Sequence, residues 1–140
     1  MLALLLVLAK PRLAGGGPVL ATEIPAGKYP VAAVQFIRAH PAALPGQMFN
    51  DMTWGGYLML ALPERKIFMH ANLDDYGRGL VEQYNQVDDL GPHWQAVLQK
   101  YGVGWTILPA RHPLNRLLAC QPAWKIAYTD EVTAVYARLP

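Results

Sequence analysis

The run Val103-Gly104-Trp105-Thr106-Ile107-Leu108-Pro109 constrains this chain more than any other. It is apolar at successive positions instead of alternate ones, so both of its faces need cover. A strand of that kind belongs in the middle of a sheet with helices layered on two sides. The chain has 140 residues, enough for one domain and one such layered core, and 53% of them are hydrophobic.

The flanking pattern fits that frame. Tyr29-Pro30 opens an amphipathic helix to His40, with Val31, Ala33, Val34, Phe36 and Ile37 on its apolar side and Pro30 near the first turn, where its missing N–H costs nothing. Pro41, Pro45 and Gly46 end it, and Gln47 to Asn50 reads as a short strand. Thr53 to Leu62 reads as a very apolar helix buried on most sides, and Lys66 to His70 as a compact strand. Two helices follow, Leu80–Val87 and His93–Tyr101, with Gly102 as the stop. After the central strand come a helix from Pro113 to Cys120 and a hairpin, Trp124–Tyr128 and Val132–Arg138. The expected fold is α/β: a small, mostly parallel sheet flanked by helices, with a C-terminal antiparallel hairpin at one edge.

Residues 29–140 form the expected domain. Residues 13–28 are rich in Gly, Pro and Ala and read as a linker or arm. Residues 1–12 hold an apolar run, Met1 to Ala9, closed by Lys10-Pro11-Arg12. As a helix that run would rise roughly 13 Å, well short of the roughly 30 Å hydrocarbon core. Its charge follows the apolar stretch, whereas a secretory signal carries charge ahead of it. The run therefore reads as the last turns of a transmembrane helix, with a buried core segment or a poor signal peptide as alternatives.

Several function classes drop out. The formal net charge is +2 and the charges are scattered, so no electrostatic footprint for nucleic acid exists. There is no serine, which removes every serine-nucleophile mechanism. The glycine pairs match neither a dinucleotide fingerprint nor a P-loop, and no cofactor is indicated. The lone Cys120 cannot form an intrachain disulfide; with His112 it could serve as nucleophile and base, but on an apolar helical face it reads as a core residue.

Two stretches could carry chemistry. In Phe49-Asn50-Asp51-Met52-Thr53-Trp54-Gly55-Gly56-Tyr57-Leu58, a strand runs into a helix: Asn50, Asp51 and Thr53 can cap its first N–H groups, and Gly55 and Gly56 let a second backbone or a ligand come close. In the second, His70, Asp74 and Asp75 could bind a divalent metal or act as acid and base, although adjacent carboxylates also form turns and caps. If the two strands are neighbours, Asn50, Asp51 and Trp54 share one rim with Asp74, Asp75 and Tyr76. Trp94, Tyr101, Trp105, Trp124, Tyr128 and Tyr136 could stack on sugar rings or sit at a membrane interface, but in a domain of this size most of them read as core.

Several phrases together resemble a known group: Phe49-Asn50-Asp51 with Trp54-Gly55-Gly56-Tyr57-Leu58, Lys66-Ile67-Phe68-Met69-His70 with Asp74-Asp75-Tyr76-Gly77, Tyr101 to Pro109, and Trp124-Lys125-Ile126-Ala127-Tyr128 with Ala134-Val135-Tyr136. From Tyr29 to Arg138 the order and spacing are similar to the soluble C-terminal domain of multi-spanning membrane proteins related to lipid-linked-sugar glycosyltransferases, both protein mannosyltransferase-like and oligosaccharyltransferase-like. The resemblance implies an extracytoplasmic domain after a last membrane helix, partnered by the membrane-embedded part of the same protein and by a glycan or lipid-linked sugar. It implies no catalytic residue and no metal in this segment. Lys10 and Arg12 pull the other way, since the positive-inside rule favours a cytoplasmic side. The competing expectations are a free-standing metal-dependent hydrolase-like enzyme using His70, Asp74 and Asp75, and a scaffolding interaction module.

Overall fold

The computed structural model describes residues 24–140, so the expectations for the apolar run and for most of the linker lie outside the described residues. Four strands form one sheet: β1 (Gln47–Asn50), β2 (Val103–Pro109), β3 (Trp124–Thr129) and β4 (Thr133–Arg138). Their order is β1-β2-β4-β3. β1 runs parallel to β2, while β2–β4 and β3–β4 are antiparallel. The apolar run that opened the sequence argument is central, as its two-sided hydrophobicity requires, and the hairpin closes one edge.

The helices are α1 (Val31–Ala39), α2 (Gly55–Ala61), α3 (Arg78–Asp88), α4 (Trp94–Lys100) and α5 (Pro113–Ala119). Strand alternation divides the core into two layers. Met48, Trp105, Ile107, Val135 and Ala137 meet Ala33, Val34 and Ile37 of α1 and Leu58 of α2 on one face. On the other, Phe49, Leu108, Ala134 and Tyr136 meet Tyr84 and Val87 of α3, Val97 and Leu98 of α4, and Leu114 and Leu118 of α5. The backbone at Pro45 crosses β2 so closely that a Cβ on Gly104 would lie 1.8 Å from the Pro45 carbonyl oxygen, so only glycine fits.

The expected strand at Lys66–His70 does not form. The segment is irregular, and it is held to β1 by a side chain instead of by a ladder. The sheet is consequently mixed, with β1–β2 its parallel pair, and the expectation of a mostly parallel sheet gives way because the segment meant to extend it stays outside. α2 also differs from expectation. Leu58 is buried and Leu62 just beyond it is too, but Leu60 is 85% exposed and Met59 50%. The apolar helix covers the core with one stripe and presents the other outward.

Candidate functional site

The junction between β1 and α2 is built around Asn50. Fully buried, its Nδ2 donates to the carbonyls of Asp51 and Met69, at 2.8 Å each. Its Oδ1 accepts from the amides of Phe68 (2.8 Å) and Met69 (3.3 Å). One amide side chain thus satisfies the backbone groups that a neighbouring strand would have satisfied, and it fixes residues 68–69 beside β1. Asp51 caps the 3-10 turn Met52–Trp54: its Oδ1 accepts from Thr53 N at 2.8 Å and also from the Thr53 hydroxyl. Trp54 is buried and its indole N–H donates to the Lys28 carbonyl at 2.9 Å.

The glycine pair separates cleanly. A Cβ on Gly55 would lie 2.5 Å from the Met69 carbonyl oxygen and 2.6 Å from His70 Cα, so this glycine admits the segment that Asn50 holds. Gly56 faces open space.

The close approach at Gly55 brings His70 beside the start of α2. His70 Nδ1 accepts from Asn72 N at 3.2 Å, and its Nε2 lies 3.3 Å from Asp75 Oδ2. Asp75 Oδ2 accepts from Asn72 Nδ2 at 3.0 Å. The Tyr76 hydroxyl accepts from His70 N at 3.1 Å, and the two rings are tilted with centroids 5.0 Å apart. Between this loop and α2 lies an open groove of about 420 Å³ lined by Met52, Thr53, Gly56, Met59, His70 and Asp75 among others.

The groove redraws the expected rim. The two stretches do meet, through Thr53 on one side and His70 and Asp75 on the other. Asn50 and Trp54 are corrected from contact residues to interior ones, because both are buried with their polar atoms bonded inside the protein. Asp51 is committed to its cap and Tyr76 to the His70 amide. Asp74 is exposed on the 3-10 turn Leu73–Asp75 and is not drawn in beside His70 and Asp75. Among the described residues no group of three or more His, Cys, Asp or Glu side chains is placed to hold a metal ion.

A second cluster escaped the sequence reading. Tyr84 OH accepts from Met52 N at 3.0 Å and donates to Asp88 Oδ1 at 3.3 Å. His112 Nδ1 accepts from Leu114 N at the start of α5, so its Nε2–H donates to the same Asp88 oxygen at 3.1 Å. Burial first, and the Asp88 charge next, hold the Tyr84 hydroxyl far above the ordinary tyrosine range. The cluster ties α3, α5 and the Asp51 turn together. Only the helix-start position of His112 ahead of Pro113 signalled it in the sequence. His112 and Cys120 cap opposite ends of α5, roughly 12 Å apart along its axis, and do not form a nucleophile–base pair. Cys120 is exposed, which also corrects its reading as a core residue.

No family model matches the chain, and no curated protein matches it in sequence. Among solved structures, the C-terminal globular domain of an oligosaccharyltransferase from Archaeoglobus fulgidus is similar in fold. Its TM-score is 0.56 at 4% identity, over 78% of this chain and 95% of that domain. The fold thus has a counterpart in an independently determined structure. None of the described helices is long and apolar enough to cross a membrane.

Proposed function

We propose that residues 29–140 are a non-catalytic accessory domain of a membrane-embedded, glycosyltransferase-like protein, placed on the extracytoplasmic side. The observation that carries this reading is the fold likeness, which spans nearly the whole of an oligosaccharyltransferase globular domain. The sequence phrases quoted above are a separate support for the same family. The groove between α2 and the His70–Tyr76 loop is the contact surface for a glycan or lipid-linked sugar, with Asp75 in its lining, Asp74 exposed on the adjoining turn, and Asp51 and Tyr76 holding its walls.

The polar groups around that groove bear on catalysis. Asp75 accepts from Asn72 and lies beside His70, the His70 ring accepts from the Asn72 amide, and Asp51 caps a turn. Each has a structural task, and among the described residues no third His, Cys, Asp or Glu side chain joins His70 and Asp75 as a metal ligand would. The test is deletion of residues 29–140 from the membrane-spanning parent that this reading requires. Loss of transfer from a lipid-linked sugar is expected, and unchanged transfer would overturn the proposal. The isolated chain is expected to show no turnover.

The outward stripe of α2 favours a complementary role. Leu60, Met59 and the nearby Ile24 expose apolar surface on this side of the protein. Apolar surface of this kind marks a docking side, and in this reading the docking partner is the membrane-embedded part of the same protein.

A further inference from the structure

We infer that a cleft between α4 and the start of β3 is a separate carbohydrate subsite that takes one acidic sugar residue. It lies at the other end of the sheet from the groove. Asn50 pairs with Ile107 near the carboxyl end of β2, whereas Trp124 pairs with Arg138 beyond the Trp105–Ala137 pair near the amino end.

One wall is a single face of α4, where Trp94, Gln95 and Gln99 surround a floor made by the buried Leu98. The other wall is Trp124 with its cross-strand partner Arg138 and the Gln121 side chain. The cleft, open to solvent on one side, has a volume of about 230 Å³, below the roughly 300 Å³ at which pockets for drug-sized ligands begin, and it suits one ring.

The chemistry of the walls is specific. Neither Trp94 nor Trp124 pairs with another aromatic ring among the described residues, although eight such pairs form elsewhere. Among the described residues their indole N–H groups, the three glutamine amides and the Arg138 guanidinium make no hydrogen bond or ion pair within the protein. No acidic side chain lines the cleft. An indole presents a flat apolar face to the C–H face of a pyranose, and a planar amide offers donor and acceptor together to vicinal hydroxyls. A guanidinium facing no internal carboxylate binds an external one through two parallel bonds. Together these groups fit a hexuronate better than a neutral hexose.

The experiment titrates the full chain, labelled with nitrogen-15, with D-glucuronate, D-glucose and acetate in separate arms. Of the four tryptophan indole signals, those of Trp94 and Trp124 are expected to shift saturably with glucuronate, in the roughly millimolar range, while those of Trp54 and Trp105 stay in place. Arg138→Gln is expected to weaken glucuronate about tenfold and bring it to the level of glucose. Trp124→Ala is expected to abolish saturation. Gln121→Ala, at a half-buried position just ahead of the turn into β3, should weaken binding with little change in melting temperature, so the inference survives even if Trp124→Ala fails to fold. No saturable shift with glucuronate would overturn the subsite. Equal binding of glucose would overturn the acidic-sugar assignment, and an equal response to acetate would overturn the role of the ring. None of these outcomes depends on the membrane parent, so failure here and failure of the accessory-domain reading are distinguishable.

Discussion

The two ends of the sheet handle their polar side chains in opposite ways. At the carboxyl end of β1 and β2, Asn50 makes four hydrogen bonds, Asp51 caps a turn, and Asp88 joins Tyr84 to His112. At the amino end, Trp94, Trp124, Arg138 and the surrounding glutamines face a cleft with no such internal bonds among the described residues. The difference teaches which groups are available. A buried polar group needs partners, and once it has them it specifies structure. A half-buried group without them is free to bind something else.

The largest expected effect that tests this contrast is at Asn50. Asn50→Ala would strip the amides of Phe68 and Met69 and the Met69 carbonyl of their partner. Each buried group left unsatisfied costs about 1–3 kcal/mol. A loss of about 2–4 kcal/mol in urea unfolding is expected; a change below about 1 kcal/mol would show that residues 66–70 are held by other means.

The glycine pair sharpens the same point at a smaller scale. Gly55→Ala forces a Cβ against the Met69–His70 backbone and is expected to cost about 1–3 kcal/mol. Gly56→Ala, in open space on the same helix, should be neutral or stabilising by up to about 1 kcal/mol. Equal effects at the two positions would break the distinction between a packed junction and an open groove, and paired thermal melts decide it.

The β3–β4 turn offers a milder, pH-dependent check. Asp130 accepts from Val132 N at 2.8 Å, from Thr133 N at 2.7 Å and from the Tyr128 hydroxyl at 2.7 Å. Partial burial would raise the Asp130 pKa, but these bonds outweigh it and leave the carboxyl below its ordinary value of 3.8. A depressed folded-state pKa contributes stability above the unfolded value and loses it as pH falls through the folded one. The hairpin contribution should therefore hold at neutral pH and fade below about pH 4. Asp130→Asn should flatten that part of the stability profile in acid titrations followed by circular dichroism.

The smallest effect on folding belongs to the outward stripe of α2. Met59→Ser and Leu60→Ser should change unfolding free energy by less than about 0.5 kcal/mol, because both side chains are exposed. If the proposed accessory-domain reading holds, their effect should fall instead on co-purification with membranes when the domain is expressed within a membrane-spanning parent. A large loss of stability would show that the stripe is packed.

Much of the fold was legible because periodicity and two-sided hydrophobicity are local. Val103–Pro109 reads as a central strand from its own residues, and α1, α3, α4, α5 and the hairpin follow from spacing, proline and glycine. Lys66–His70 misled for the same reason. Its apolar residues look like a strand, yet what keeps it out of the ladder is a side chain 16 to 20 positions earlier in the chain. The site was legible only in outline: the sequence pointed to a rim of Asn50, Asp51, Trp54, Asp74, Asp75 and Tyr76 on two neighbouring strands, whereas Asn50 and Trp54 turn inward and the groove joins Thr53 to His70 and Asp75.

The sequence by itself determined the layered α/β class, the central strand and the polar residues gathered near the ends of its elements, because each is set by a few neighbouring residues. Tertiary structure alone decided which polar groups are spent and which are free. Asn50 and Arg138 are both polar residues at the ends of strands, and nothing local separates them. Asn50 meets backbone that must be satisfied in a dry interior, whereas Arg138 meets a cleft open to solvent.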